Sequence, residues 1–559
     1  MCQVFHLTPE FFFWEENRKM PIQSANQPEV FTLEEWKGLN QLGRRGSIDD
    51  QEEWWNENFF AIGPGNLRTC WGKGPAIYTA PAGTTILRIF FGFIGWPTPQ
   101  FAAPGPPYGG RLGWMFLSDG NVDQVDLDLK TVTRVGQVWQ PIAPQYWCSA
   151  KVWRPRFFGS VTGQQGGVLI GSPQGLYAWD GQTLTSPGQN APDWLTDQLE
   201  SDVSAPPTVM PTGLPGIYCM EVYQQRLFVA GKDVVSFSAP SNGADFSTAN
   251  GGGSFGYFGD KLTYSFMDMA SVAGYLFVYG DSSTDLISNV QLSGQGTTAA
   301  PYVTNMNYAN VDPQVGHRFP RPVGRFGRYM AMYNGAGIFL MSGGDATDIG
   351  GKVINVYNTL DTSLYLPTFA TATMFGFRVL LANGRFTDPF GVTRNLILMW
   401  RGPGSPFWSV ASQGVELTHI GYYEQDSICT PYGTDGTSLY QLFAQPDPAL
   451  LKRLSTKALK GTGIAQLTIK NAKRLYAEIH DISGGGVGIT GEATCSGGGV
   501  PGGVQDVAFE LPPGKRYDIL PAVVEGGGIA MQIDLQSYSP DFVLERLHIS
   551  SEQRTLFGA

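Results

Sequence analysis

Residues 251–256 (GGGSFG) satisfy two chemical motifs at once. As GxGxxG they would cradle a pyrophosphate, but only if a helix followed to receive it at its N-terminus. As GxSxG they would present a nucleophilic Ser254, but only on a strand–turn–helix elbow. The residues that follow, 257–266 (YFGDKLTYSF), read as strand, so both matches are what a glycine-rich loop produces by composition. The histidines, His6, His317, His419, His480 and His548, never fall at HxxxH or HExxH spacing. Asp119, Asp123, Asp126 and Asp128 have the composition of a calcium loop without its ordered ligand spacing, and their near-alternation predicts one solvated strand face. The cysteines (Cys2, Cys70, Cys148, Cys219, Cys429, Cys495) lie far apart with no CxxC, which predicts free, mostly buried thiols and no zinc site. Arg318, Arg321, Arg325 and Arg328 are bunched in HRFPRPVGRFGR. That spacing predicts an exposed basic loop, a contact with acidic residues of another subunit ahead of a contact with phosphate. No catalytic set, cofactor site or metal site is expected from these patterns.

The elements that would have to position such residues are short strands. Residues 223–289 are a string of apolar and aromatic runs cut by Gly, Asn, Asp or Ser, with no helical period. Strands this short cannot bury a face alone and must stack in a repeated sheet architecture. The 559 residues carry 42% hydrophobic, 13% aromatic and only 15% charged residues, against about 25% charged in an ordinary domain. Gly (72) and Pro (38) are abundant, yet the aromatics argue against disorder. The net charge of −11 argues against ordinary nucleic-acid binding, which neutralises phosphates with Lys and Arg. No secretory signal is read at the start, and the apolar run 87–96 (LRIFFGFIGW) is too short to span a membrane, so it reads as a buried strand.

Three regions are expected: a lead-in over 1–57, a body over 58–445 and a C-terminal domain over 446–559. In the lead-in, residues 31–40 read as a short helix or an extended arm. In the body, Asp119-Gly120, Asp180-Gly181, Asn242-Gly243, Asn250-Gly251, Asn334-Gly335, Asn383-Gly384 and Asp435-Gly436 mark tight hairpins, because these pairs tolerate positive φ. A recurring hairpin with blades of about 40–50 residues predicts a β-propeller of about seven to nine blades over this length. Radial packing also leaves few open sheet edges. Residues 191–202 (APDWLTDQLESD) are the one helical stretch expected there. After Pro446-Asp447-Pro448 and the basic 451–460 (LKRLSTKALK), strands between glycine clusters predict a β-sandwich or β-barrel. The fold class is therefore all-β. The turns 118–120 and 179–183 echo the Asp-box turns of sialidase-type propellers. Those turns are structural, and the converging arginines and nucleophile of a sialidase are not apparent.

Segments 58–69 (NFFAIGPGNLRT), 175–181 (GLYAWDG), 237–240 (FSAP), 276–283 (LFVYGDSS), 326–328 (FGR) and 335–339 (GAGIF) resemble a family of short-tailed bacteriophage proteins. These are the tail nozzle, tail hub or packaged-DNA stabilisation proteins, and the resemblance runs over about residues 30–559. It implies a structural virion protein in the tail: a homo-oligomeric, six-fold ring below the portal and its adaptor, bordered by tail fibre, spike or needle proteins. The ring would retain packaged DNA and conduct it during ejection without sequence-specific binding. It implies no catalysis, no cofactor and no membrane span. An acidic, rigid body suits a conduit, since a lumen of like sign does not capture the duplex. Two other readings remain: a carbohydrate-binding or depolymerising tail propeller, from the many Trp and Tyr residues, and a cellular propeller scaffold for protein partners.

Overall fold

The computed structural model describes the chain from Pro28 to Arg554, apart from residues 96–108, 140–147, 157–164, 186–216, 257–265, 460–468, 497–503, 515–517 and a few isolated positions. Among the described residues it is all-β, with only short helical turns near residues 248–250 and 351–357. Six four-stranded sheets, and a four-strand unit inside a nine-stranded sheet, follow one another along the chain. They span 86–137, 149–185, 219–256, 266–312, 324–348, 368–411 and 419–441, and are numbered one to seven here.

Each sheet is an antiparallel meander running from an inner to an outer strand. The inner strands are Ile86–Gly95, Ser149–Arg156, Cys219–Tyr223, Phe266–Val272, Gly324–Phe326, Thr368–Met374 and His419–Gln425. Inner strands of successive sheets touch from one to four and from five to seven, and the seventh touches the first. Sheets four and five are joined by the Val323 N–H, which donates to Asp268 at 2.9 Å, and by a shared core including Ala270, Phe277, Val323 and Met330. The result is a closed, propeller-like ring. Its seventh sheet is completed by the early strand Ala76–Thr79, which pairs with Ser438–Gln441 (Leu439 opposite Tyr78). Both ends of the ring segment are thereby zipped into one sheet. The Tyr78 hydroxyl then donates to Asp123 of sheet one at 2.6 Å, tying that closure to the next sheet.

A β-sandwich is fused to the rim. One of its sheets contains Pro28–Leu33, Phe59–Gly63, Asn66–Thr69, Ile469–Asp481, Asp518–Gly528 and Phe542–Arg554. The other prolongs sheet six outward, because Glu53–Glu57 joins its outer strand Trp408–Ala411 in parallel at Glu57 and Val410. Lys452–Thr456, Ala530–Ser537, Val487–Ser496 and Val504–Gly514 follow in that order. Trp36, Phe59, Leu67, Leu454, Leu475, Ile533 and Leu547 fill the space between the two sheets. Asn58 is the pivot where the chain crosses from one sandwich sheet to the other. It sits at φ 60, and its side chain donates to Ser412 Oγ (3.0 Å) and the Leu451 carbonyl (2.6 Å) while accepting from the Ser412 N–H (2.9 Å). Asparagine tolerates this left-handed conformation better than most residues.

The expected division of the chain differs from this arrangement at its start. The lead-in is not separate: Pro28–Leu33 is an extended strand paired along Phe542–Arg554, and Glu53–Glu57 pairs with Lys452–Thr456. The C-terminal domain thus draws strands from both ends of the chain, a non-local pairing that local patterns do not encode. Asp119-Gly120, Asn334-Gly335 and Asp435-Gly436 do close hairpins. Asn383-Gly384 does not: it lies inside the strand Phe377–Thr387, where Leu360 and Phe386 pack so closely over Gly384 that a Cβ would meet them at 2.9 Å. Asn250-Gly251 ends a 3-10 turn that leads into the strand Gly253–Gly256, and Asn242-Gly243 lies in the loop after the strand Val234–Phe237. Asp180 and the expected helix at 191–202 lie outside the described residues. Residues 87–96 supply the inner strand Ile86–Gly95, as their apolar run predicts.

Candidate functional site: the axis of the ring

Successive side chains of an inner strand face the sheet before it and the sheet after it, as Met269 packs with sheet three and Ala270 with sheet five. The second, third and fourth inner strands carry Lys151, Glu221 and Asp268. These project into an axial cavity of about 490 Å³, whose walls include residues from all seven inner strands. Arg325, at the fifth inner strand, joins them.

Glu221 is the hub. Its Oε2 accepts from Lys151 Nζ at 2.8 Å and from an Arg325 guanidinium nitrogen at 2.6 Å, and its Oε1 accepts from Ser271 Oγ at 3.1 Å. Burial alone would push this carboxyl up, but Arg325 and Lys151 outweigh it and hold the group below the usual range. Glu221 in turn raises the Arg325 guanidinium. Asp268 has weaker compensation. Burial pushes it up to about 6, opposed by Lys151 and by the hydrogen bond from the Val323 amide. Two carboxyl groups in one cavity therefore titrate far apart, one anionic throughout the neutral range and one able to hold a proton in mildly acidic solution.

The axis is closed at one end. Arg88 and Arg321, each only 3% exposed, reach across it to backbone carbonyls. Arg88 donates to Cys148 O at 2.6 Å and to Pro320 O, and Arg321 donates to Leu87 O at 3.2 Å. His317 Nε2 donates to Arg321 O (2.9 Å) while its Nδ1 accepts from the Tyr333 N–H (3.3 Å), and burial lowers it to about 4, so it is neutral at physiological pH. His419 is likewise driven well down, by burial and then by Arg321 and Arg88. The other end opens past Phe91, Phe93, Tyr422, Tyr423 and Glu424.

The arginines bunched in sequence are dispersed in space. Arg321 is in the plug and Arg325 in the cavity, so neither belongs to an exposed basic loop. Arg318 lies over the ring of Phe319 (5.7 Å), and Arg328 over Tyr329 (5.3 Å). Strand-and-turn geometry sends residues a few positions apart to different faces. The acidic run is also taken up structurally: Asp119 and Asp126 cap turns, Asp123 pairs with Arg134, and Asp128 with Arg111. Cys70, Cys148, Cys219 and Cys429 are buried free thiols. Among the described residues no group of His, Cys, Asp or Glu is arranged to hold a metal, and no helix is long and apolar enough to cross a membrane. Sequence reasoning missed Lys151, Glu221 and Asp268. The available signal was a single charge in an apolar run for Glu221 and Asp268 (CMEVY, FMDMA), whereas the strand of Lys151 (SAKVWRPR) carries three cations and gives no such signal.

No family model matches the chain, and no curated protein matches it. Among solved structures, BBS1N in complex with ARL6DN aligns with a TM-score of 0.38 at 9% identity, over 67% of this chain and 97% of that one. The extracellular domain of a hybrid two-component system from B. thetaiotaomicron aligns with a TM-score of 0.14 at 9% identity, over 73% and 72% of the two chains. Neither likeness is close enough to define a family.

Proposed function

We propose that this chain is a structural virion protein, a seven-bladed propeller fused to a sandwich that assembles with copies of itself into the tail nozzle of a short-tailed bacteriophage. The observation that carries the reading is where its resemblance to that family falls. Segment 58–69 makes the pivot between the two sandwich sheets and the hairpin that follows it, 276–283 a blade strand and its turn, and 326–328 with 335–339 two neighbouring hairpins of one blade. These are framework positions, and a stiff framework is what a pressure-holding conduit needs. The welded nine-stranded sheet supports the same reading, because a continuous hydrogen-bonded ladder gives a stiff connection between ring and sandwich. The ring axis, crossed by Arg88 and Arg321, favours a channel between copies over one through a single copy. A six-fold ring below the portal and adaptor, touching fibre, spike or needle proteins, follows from the resemblance. Imaging of purified particles is expected to show a ring of this protein on the tail axis. Its absence from virions would remove the proposal.

One observation favours a second reading, a carbohydrate-binding or depolymerising propeller. The cavity sets a raised carboxyl (Asp268) near a lowered one (Glu221) below an aromatic mouth, an environment that separates acid from base in glycoside cleavage. Saturation of Glu221 by three donors speaks for a structural role instead. Release of reducing sugar from host polysaccharide, lost in Asp268→Asn, would establish this alternative.

A further inference from the structure

In an up-and-down ring, first-to-second and third-to-fourth strand turns emerge on one face, here the upper face. Second-to-third turns and the links between sheets emerge on the lower face. The two faces are unlike. Phe93, Leu129, Tyr275, Leu292, Val303 and Ile428, each more than two-fifths exposed, all lie at upper-face strand ends or turns, while Leu364 and Val392 are the large exposed apolar residues of the ring's lower face among the described residues. The upper face also holds an open cleft of about 390 Å³ between sheets five and six, lined by Phe326, Arg328, Tyr329, Phe377, Arg378 and Arg401. Arg378 pairs with Glu424 at 2.6 Å. Arg328 and Arg401 pair with no carboxylate among the described residues: Arg328 lies over Tyr329 (5.3 Å) and donates to its hydroxyl at 3.3 Å, and Arg401 lies over Phe377 (3.7 Å) and donates to Ala61 O at 3.1 Å. The lower face presents aspartates in its turns, Asp119, Asp281 and Asp435, with Arg318 held over Phe319.

We infer that the upper face is the docking surface for a second copy of this chain, whose lower-face aspartate turns enter the Arg328–Arg401 cleft while the exposed apolar side chains around it are covered. A guanidinium carries five N–H donors, so each of these two arginines keeps donors for a carboxylate beyond its one bond within the chain. Exposed apolar residues gathered on one face mark an interaction site. Contact between two different faces of one molecule is heterologous, and it closes into a ring when the rotation at each contact divides a full turn, giving an open filament otherwise. The inference rests on the ring-forming reading and specifies which surface forms it.

The test compares the mass distribution of the full-length protein with that of Arg328→Glu/Arg401→Glu and of Ile428→Asp/Phe93→Asp, with Ile482→Asp on the sandwich as control and melting curves to show that each variant folds. The assembly is expected to dissociate at protein concentrations roughly tenfold to a hundredfold higher in both upper-face variants and unchanged in the control. Rings that persist unchanged in the folded variants overturn the assignment of this face and leave the ring reading intact. A monomeric wild type overturns both. Unchanged rings together with loss of binding to a labelled duplex or single-stranded oligonucleotide in Arg328→Glu/Arg401→Glu would give the cleft to phosphate and overturn the carboxylate assignment.

Discussion

Replacing Glu221 by Gln keeps the shape of the axial hub and removes its charge. Lys151 and Arg325 then face each other across a neutral amide. Removing one partner of a buried ion pair costs about 3–5 kcal/mol. Here the cations are partly rehydrated: the Arg325 side chain is 38% exposed and Lys151 25%, against 5% for Glu221. Screening at the open mouth lowers the expected loss to about 2–3 kcal/mol. For a cooperative unit of this size that corresponds to a fall in Tm of roughly 2–6 °C. The assay is calorimetric or fluorescence melting at pH 7.5 and low salt, repeated at high salt, with Lys151→Met/Glu221→Met/Arg325→Met as companion. Since replacing a whole buried ionic cluster with apolar groups is often neutral, the triple variant is expected to recover to within about 1 kcal/mol of the wild type. If Glu221→Gln melts with the wild type, or if the triple variant is worse than the single, the hub is not a desolvated ion cluster and the reasoning fails.

Asp268, raised to about 6 by burial, makes a pH-dependent contribution. A carboxyl raised above its unfolded value stabilises the fold while protonated, so stability falls as pH rises from about 4 to about 6 and stays lower above. Asp268→Asn should flatten that slope and raise Tm at pH 7.5, by the equivalent of about 2–3 kcal/mol at most; an unchanged slope would contradict the assignment. Glu53, buried in the sandwich and raised to about 8, predicts the same sign between pH 4.5 and 8, so Glu53→Gln should stabilise at pH 8 and matter little at pH 5 in the same melting assay. At the pivot, Asn58→Ala is expected to cost about 2–4 kcal/mol through lost buried hydrogen bonds and a strained φ, and Asn58→Gly less, in denaturant melts. Gly120 and Gly274 share a positive φ, but a Cβ at Gly120 would meet Trp139 O at 1.9 Å while one at Gly274 meets nothing within 4 Å. Gly120→Ala should therefore lose several kcal/mol and Gly274→Ala about 1.

The all-β class was legible because apolar runs ended at recognisable turns, and the strand at 87–96 was legible because its run is too short for anything else. Where Gly follows Asn or Asp, as at 119–120, 334–335 and 435–436, turn chemistry is local and the hairpin could be read. Where the turn is Gln224-Gln225 or Asp426-Ser427, both residues take positive φ without a glycine. Pairing of the flanking strands into a two-residue hairpin sets the conformation of these exposed residues, and no dipeptide signal exists. Asn383-Gly384 failed for the opposite reason: the glycine answers to crowding by Leu360 and Phe386, not to a turn. The pairing of Pro28–Leu33 with the final strand spans the whole chain and leaves no local trace. At the axis, spacing misled: four arginines close in sequence lie in a plug, a cavity and separate surface positions, whereas Lys151, Glu221 and Asp268, distant in sequence, meet because each occupies the inner strand of its sheet.

Electron cryo-microscopy of the purified full-length protein at near-atomic resolution tests the central claim most directly. Closed rings of copies are expected, with every propeller axis sealed by Arg88 and Arg321 and the duplex-sized opening lying between subunits. Single copies with an unobstructed propeller axis would contradict it.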